Sequence, residues 1–272
     1  MSMMLRMAGT LGQRRMSPLH PMTRDYIARL QAVDGHEPAF DAANDYLIRE
    51  LVNLGGAYWD TMGTMTTLVG KKWEGLLVPL RDGMDVGTNV DGNFVSGDFD
   101  AKTGLKGDGS SKCINSNLLG SSMAQGNSSF GVFCQTGPSV NSSYINNGRA
   151  ADGTDAIDRF SATQYRVRSQ NSQQNELGFI SGEGYLGVRR TDNAEFIVRR
   201  NEANEQVTRD SQPPLARNYI VFARPTSGFI GFENYSDARL SLYHIGPGVG
   251  INLAVLDDIL TEYMARIDEV TL

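Results

Sequence analysis

The sequence has few of the residues that build metal centres and disulfide frameworks. It contains 2 cysteines and 3 histidines in 272 residues. That number of cysteines is too small for a disulfide framework, so Cys113 and Cys134 form either one bridge between neighbouring strands or two buried free thiols. His20, His36 and His244 are far apart in the sequence, and none is near a cysteine. This spacing argues against a zinc site.

Positive charge and long apolar runs are also scarce. The chain has 25 Lys and Arg against 31 Asp and Glu, a net charge of -6. An acidic balance argues against a general nucleic-acid binder. No apolar run is long enough to span a bilayer, and the N-terminus lacks the continuous apolar stretch of a signal peptide. We therefore expect synthesis in a cytoplasm, with no nucleic-acid partner and no membrane span. The pairs Arg189–Arg190 and Arg199–Arg200 are expected on a solvated or interface face.

Catalytic patterns are missing as well. No serine stands in a G-x-S-x-G elbow, and the GPGVG run at 246–250 lacks the Lys-Ser/Thr of a phosphate loop. Asp257 and Asp258 are adjacent on a predicted helix, where they are expected to face solvent near its start. A glycosidase needs two convergent carboxylates. We predict that the protein is not an enzyme; the acidic residues worth testing against this prediction are Glu183, Glu195 and Glu233.

The chain does contain many short strand-like runs separated by turn residues. Between Gly178 and Ile245 there are about six apolar or alternating runs bounded by Gly, Asn, Asp, Ser or Pro, a pattern typical of an antiparallel sandwich or jelly roll. GYLGVRRT, AEFIVRRN and EQVTRDS predict a meander of three strands. NYIVFARPTSG is the most apolar run and is expected to be a central strand.

Changes in composition divide the chain into four segments. Residues 1–22 form an arm without periodicity, which we expect to lie against another subunit. Residues 23–80 have helical patterns, with Thr23 as a predicted N-cap, a stop at Gly55-Gly56 and one or two short helices before Pro79. Residues 81–245 are the predicted β-sandwich. Residues 246–272 read as a linker and an amphipathic helix.

The order of these segments resembles a group of tailed-bacteriophage virion proteins with a laminin-G-like, concanavalin-type jelly roll. The resemblance covers residues 24–268 and is carried by WEGLLVPL, FVSGDFDAKTGLKGDGSSKCINSN, NYIVFARPTSG, DARLSLYHIG and LDDILTEYMARI. It implies a mainly β fold, an antiparallel jelly roll with an N-terminal helical region and a C-terminal helix. It also implies a virion component: a head decoration or cement, fibre or tail-associated protein. Its partners would be other virion proteins and further copies of itself, with a trimer favoured.

The virion interpretation places assembly contacts in the arm and the helical region. The expected contacts are Leu5, Arg14, Arg15, Trp59 and Trp73. Carboxylates among glycines raise a separate possibility, since Asp98, Asp100 and Asp108 either ligate calcium or simply form turns.

The alternative interpretation is a module that binds carbohydrate, such as a glycan on a host surface. Aromatic side chains in loops stack on sugar faces, although the same residues serve core and rim packing in most proteins. The aromatic residues in or near predicted loops are Tyr144, Tyr165, Tyr185, Phe229, Phe232 and Tyr235. Of these, we expect glycan contacts from Tyr144, Tyr185 and Tyr235.

Overall fold

The computed structural model describes residues 18–55, 59–60, 62–81, 90–149, 153–178, 183–200, 202–226 and 231–272. Two antiparallel β-sheets, here sheet I and sheet II, pack face to face, and a layer of helices covers the other face of sheet I. The predicted class, a mainly β jelly roll or β-sandwich with helices at both ends of the chain, is confirmed.

Sheet I holds eight strands in the described part of the chain. They are β1 (Thr64–Thr67), β3 (Phe99–Asp100), β4 (Gly104–Lys106), β6 (Ser128–Thr136), β11 (Gly184–Arg190), β12 (Glu195–Arg200), β13 (Ala203–Thr208) and β17 (Arg239–Gly246). Their order is β13-β12-β11-β6-β17-β4-β3, and β1 also pairs with β17. The predicted three-stranded meander is confirmed as β11, β12 and β13.

Sheet II holds seven strands among the described residues. They are β2 (Val90–Gly92), β5 (Cys113–Leu119), β7 (Ser142–Asn146), β8 (Ala156–Ser161), β9 (Gln164–Arg168), β10 (Asn175–Gly178) and β14 (Asn218–Val221). Their order is β10-β9-β8-β7-β14-β5-β2, so β14 is an interior strand, as predicted. A short hairpin of β15 (Arg224–Pro225) and β16 (Phe232–Glu233) follows β14.

The main core lies between the two sheets. Alternate residues of each strand point into it because side chains in a strand alternate between faces. Phe130 of sheet I packs against Tyr219 of sheet II, with ring centroids 5.9 Å apart. Other contributions come from both sheets: Val132, Val188, Tyr243, Tyr144, Ile157 and Val167.

A second core lies between sheet I and the helices. The helices are α1 (Pro21–Gln31), α2 (Asp41–Asn53) and α3 (Leu253–Glu269). Leu47 and Leu260 from these helices pack with Met65 and Leu242 from the sheet. The Tyr263 hydroxyl on α3 donates to Asn44 Oδ1 on α2 at 3.0 Å. The central strands β6 and β17 of sheet I are therefore buried on both faces. No helix in the described ranges is long and apolar enough to cross a membrane.

The N-terminal region is less helical than its sequence pattern suggests. The prediction of one or two short helices before Pro79 is wrong over β1, which pairs antiparallel with β17. Its sequence, TMTT, is rich in β-branched threonine, which favours strands over helices. The predicted N-cap is also wrong, because α1 begins at Pro21 and His20 Nδ1 accepts from the backbone of Met22 at 3.3 Å. The predicted stop at Gly55 is confirmed, since α2 ends at Asn53 and Gly55 has φ +103°.

One arginine of each pair is buried rather than on a solvated or interface face as predicted, and Asp257 does not face solvent as predicted. Arg190 is fully buried, and Arg199 and Asp257 are buried against each other. The packing of α3 on sheet I buries Arg199 and Asp257. Arg190 is buried on the other face of sheet I, where it donates to the Ser169 and Arg209 carbonyls beside the Phe196 ring. The sequence pattern of a single element does not reveal these contacts.

The two cysteines are both free and buried. Cys113 lies on β5 of sheet II, whereas Cys134 lies on β6 of sheet I. Their strands are in different sheets, so of the two alternatives the structure has the pair of free thiols. Burial raises the pKa of the Cys134 thiol well above its ordinary value, which keeps it protonated and unreactive.

Candidate functional site

The outer face of sheet II is the broad sheet surface that the helices leave uncovered. On β14, Tyr219 and Val221 point into the main core, whereas Asn218 and Ile220 point outward. Asn115 on the neighbouring strand β5 is opposite Ile220 in the ladder and also faces outward. Together these residues form the floor of a surface groove.

The groove has a volume of about 520 Å³. Its floor comes from β5 and β14, and its sides come from the chain before β14 and from the β15–β16 hairpin. The lining residues are Asn115, Leu119, Ala216, Arg217, Asn218, Ile220, Pro225, Gly231 and Phe232. Binding sites for small ligands commonly have volumes of about 300–1,000 Å³, so the groove is large enough for such a ligand.

An irregularity in β5 shapes the floor of the groove. Asn117 has φ +56°, and the pairing of β5 with β14 shifts between Asn218 and Ile220. The Asn115 side-chain oxygen accepts from the Asn117 backbone at 2.9 Å, which fixes the orientation of the Asn115 amide. Within the described residues, no hydrogen bond engages the Asn115 side-chain nitrogen or the side-chain amide of Asn218. Both amides are thus available to a ligand.

Apolar and cationic groups stand beside these amides. Phe232 and Leu119 are 38% and 44% exposed, respectively. Arg217 is half-buried at the rim, and burial lowers the pKa of its guanidinium without making it neutral at physiological pH. An exposed ring, two free amides and a guanidinium offer stacking together with hydrogen bonds to hydroxyl groups.

The β15–β16 hairpin has two chemically different faces. Pro225 is paired with Phe232, and both line the groove. Arg224 is paired with Glu233, with Nη2 and Oε1 3.2 Å apart. Because neighbouring residues of a strand point to opposite sides, the apolar pair and the charged pair lie on opposite faces of the hairpin.

Two of the three predicted glycan contacts are wrong. Tyr144 is fully buried in the main core, where its hydroxyl is 3.5 Å from that of Tyr165. Tyr185 is buried beneath the helices, where its hydroxyl is 2.7 Å from His244 Nε2. Burial lowers the pKa of His244 to about 3, so this imidazole is neutral. For both tyrosines, burying the hydrophobic ring in a core is more favourable in free energy than leaving it exposed in a loop.

The remaining aromatic candidates have different locations. Tyr235 is half-buried and packs against the small outer cluster of Cys113, Ile220 and Ala223. Phe232 lies in the groove, although the sequence analysis did not prefer it over the tyrosines. Phe229 lies outside the described residues.

The three predicted calcium ligands are all engaged by other groups of the protein. Asp100 accepts from the backbones of Lys102 and Thr103 at 2.9 and 2.8 Å. Asp108 caps the turn at Ser110 to Lys112 in the same way, and Asp98 pairs with Lys112. The described residues contain no group of three or more His, Cys, Asp or Glu that could hold a metal ion. The turn-forming alternative accounts for the contacts of Asp100 and Asp108, and an ion pair accounts for that of Asp98.

The assembly residues and the acidic candidates do not form a site in the described structure. Leu5, Arg14 and Arg15 lie outside the described residues. Trp59 is buried in the core beneath the helices, and Trp73 is half-buried beside Phe99. Glu195 lies in sheet I, Glu183 directly precedes β11 of that sheet, and Glu233 lies on the hairpin that follows sheet II. Glu233 is already engaged by Arg149 and Arg224.

No family model and no curated protein matches the sequence. Similar solved structures include domain 4 of a GH43 extracellular arabinanase from Geobacillus stearothermophilus, in complex with arabinotriose. That match has a TM-score of 0.46 and 11% identity, covering 73% of this chain and 98% of that chain. A mutant Trypanosoma rangeli sialidase matches with a TM-score of 0.46 and 11% identity, over 88% of this chain and 40% of that chain.

A third similar structure is the CBM40 of a Ruminococcus gnavus IT-sialidase, bound to α2,3 sialyllactose. Its TM-score is 0.33 at 10% identity, over 45% of this chain and 75% of that chain. At identities this low, likeness concerns the fold alone, and the function has to be argued from the groove itself.

Proposed function

We propose that the protein binds carbohydrate in the groove on the outer face of sheet II. The observation that carries the proposal is the exposed ring of Phe232 beside the free amides of Asn115 and Asn218. A sugar ring has apolar C–H faces and a polar rim of hydroxyls. The Phe232 ring matches the former, and the two amides match the latter as both donors and acceptors.

The fixed position of the amides supports this proposal. Both lie on strands of a sheet that is packed on a core, so their backbone positions are rigid before a ligand arrives. Rigid donors and acceptors lose little conformational entropy on binding, which favours affinity. The engaged oxygen of Asn115 leaves its nitrogen as a donor, whereas Asn218 offers both an oxygen and a nitrogen.

The direct test is a glycan array probed with the purified full-length chain, followed by calorimetry on the best oligosaccharide. The proposal requires saturable binding to a defined set of glycans. Absence of binding across neutral, carboxylated and sulfated glycans would overturn it.

The role in a virion remains a prediction supported by the sequence resemblance. In this role the protein would be a homo-oligomer, with a trimer favoured, and would contact other virion proteins through its N-terminal arm. The glycan of the groove would then be on the surface of the host. Quantitative mass spectrometry of purified particles tests this role independently of glycan binding, because it measures presence and copy number alone.

A further inference from the structure

A group of arginines lies on the outer face of sheet II beyond the hairpin. On β8 and β9, Ile157 and Val167 point into the main core, so the alternate residues point outward. Asp158 and Glu176 are directly opposite Arg166 in the ladder on its two sides. The arginine cluster, as we name this group, consists of Arg149, Arg166, Arg168 and Arg224.

Three carboxylates accompany the arginine cluster. Arg166 Nε lies 3.7 Å from Glu176, and Arg168 Nη1 lies 3.9 Å from Asp158. Glu233 is shared, since Arg149 and Arg224 approach the same oxygen at 3.3 and 3.2 Å. Among the described residues this surface therefore has one more cation than it has anions, on a chain whose net charge is -6.

The arginines keep hydrogen-bonding capacity that the protein does not use. Arg168 is 3% exposed, and its Nη2 donates to Gln174 at 3.0 Å. Its Nε and Nη1 have no hydrogen-bond partner in the part of the chain that the structure describes, and the same holds for Nε of Arg166 and Arg224. A buried donor without a hydrogen-bond partner destabilises the folded protein. A network built only for stability would be expected to satisfy these groups.

The guanidinium groups also act on one another. Burial lowers the pKa of Arg168, the charge of Asp158 opposes this shift, and the weaker effects of the Arg224 and Arg166 charges act in the same direction as burial. Burial likewise lowers the pKa of Arg166, the charges of Glu176 and Asp158 oppose this shift, and the charge of Arg224 acts in the same direction as burial. Repulsion among fixed cations is relieved when an anion binds between them.

The hairpin joins the arginine cluster to the groove. Its charged pair belongs to the cluster, and its apolar pair belongs to the groove. The Asn234 carbonyl just after β16 accepts from the Ser143 backbone on β7 at 2.9 Å, which fixes the hairpin to the sheet. The hairpin therefore stands between the groove and the cluster, and an oligosaccharide that extends from the groove past the hairpin would place a neighbouring sugar over the cluster.

We infer that the arginine cluster is a subsite for an anionic group of a bound glycan, a carboxylate or a sulfate. This inference rests on the proposed function of the groove. Arg166 and Arg224, which are partly exposed, would contact the anion, and Arg168 would support them from beneath. The planar guanidinium presents paired N–H donors that match both anions, so the shared chemistry is recognition by forked hydrogen bonds.

The test compares acidic oligosaccharides with their neutral counterparts on one array. The pairs are uronate oligomers with carboxyl-reduced forms, sialylated with asialo glycans, and sulfated with desulfated glycans. We expect at least one acidic member to bind at least tenfold more tightly than its counterpart, and this preference to decrease as salt increases. The pairs that show a preference identify which anion is recognised.

Substitutions then locate the preference. Arg166→Gln and Arg224→Gln should each reduce it at least fivefold while leaving affinity for the neutral counterpart within twofold. Arg24→Gln is the matched control, because Arg24 is an exposed arginine on α1. Thermal unfolding of each variant checks that the fold is intact. A double variant of Arg166 and Arg224 tests whether one arginine still binds the anion when the other is lost.

The failures of the two proposals are distinguishable. Equal binding of acidic and neutral members would overturn the inference and leave the groove proposal standing. An acidic preference that survives both arginine substitutions would also overturn the inference. Binding to no glycan at all would overturn the proposed function, and the subsite with it.

Discussion

Arg199 on β12 and Asp257 on α3 form a buried ion pair, with Nε and Oδ2 2.8 Å apart. The pair attaches the C-terminal helix to the outer face of sheet I. Both side chains are about 8% exposed, so neither charge is solvated by bulk water. This attachment leaves the face of sheet II as the broad sheet surface on which a ligand can bind.

Breaking this ion pair from one side should destabilise the protein strongly. Asp257→Asn leaves Arg199 buried without its counter-charge, and we expect a loss of about 3–5 kcal/mol in the free energy of unfolding. Replacing both residues with Met should cost less than the single change. Urea unfolding measures both effects. As a control, Glu262→Gln breaks the exposed pair with Arg266 on the same helix and should cost no more than about 0.5 kcal/mol. Equal costs for the two single variants would contradict this account.

Asp155 should make stability depend on pH. It is fully buried at one end of the main core, where its Oδ2 accepts from the Tyr219 hydroxyl at 2.5 Å and its Oδ1 from the Gln170 backbone at 2.7 Å. Burial raises the pKa of Asp155 from 3.8 to about 6, although the hydrogen bonds act in the opposite direction. The folded state therefore binds this proton more tightly than the unfolded state.

The sign of the effect follows from this difference in proton binding. Between pH 4 and 6 the stability contributed by Asp155 falls as pH rises, by up to about 3 kcal/mol, and it is constant above that window. Asp155→Asn mimics the protonated side chain and should flatten this part of the profile. Urea unfolding at several pH values compares the two proteins. If the variant and the parent protein lose stability equally between pH 4 and 6, the raised pKa is wrong.

The thiols should be inert in the folded protein. Both are buried, and the raised pKa of Cys134 keeps the thiolate population low. A thiol reagent such as DTNB should react slowly with the native protein and should titrate both cysteines rapidly after unfolding without reductant. Fewer than two reactive thiols in the unfolded, unreduced protein would mean that a disulfide is present.

The groove should lose affinity when its aromatic side is removed. Phe232→Ala deletes the stacking surface, and we expect binding of the best glycan to weaken by about tenfold, equivalent to about 1.4 kcal/mol. Asn218→Ala removes a hydrogen bond and should weaken binding about three- to tenfold. Val249→Ala removes an exposed apolar side chain outside the groove and serves as the control. Calorimetry compares the variants, and an unchanged affinity for Phe232→Ala would exclude the groove.

The sequence predicted correctly those strands and helices whose own residues show a clear alternating or helical pattern. The alternation and turns of residues 184–208 specify the meander, and the apolar run at 218–223 specifies an interior strand. The amphipathic stripe of α3 was visible because Leu253, Leu256 and Leu260 recur at helical spacing. Each of these features needs only the residues of one element.

Features that depend on packing between distant elements could not be read from the sequence. The burial of Arg199 and Asp257 exists only once α3 lies on sheet I. Tyr144 was expected in a loop because its strand is short and polar, yet that strand is buried on both faces. The groove combines Asn115, Asn218 and Phe232. Because these residues come from three separate segments, no local sequence motif predicts the groove.

The measurement that tests the central claim most directly is a titration of isotope-labelled protein with the best oligosaccharide, followed by NMR. The account predicts that the largest chemical-shift changes are in the side-chain amides of Asn115 and Asn218 and in the backbone of Phe232. Changes concentrated on α1 to α3 or on the strands of sheet I, with the groove unaffected, would contradict it.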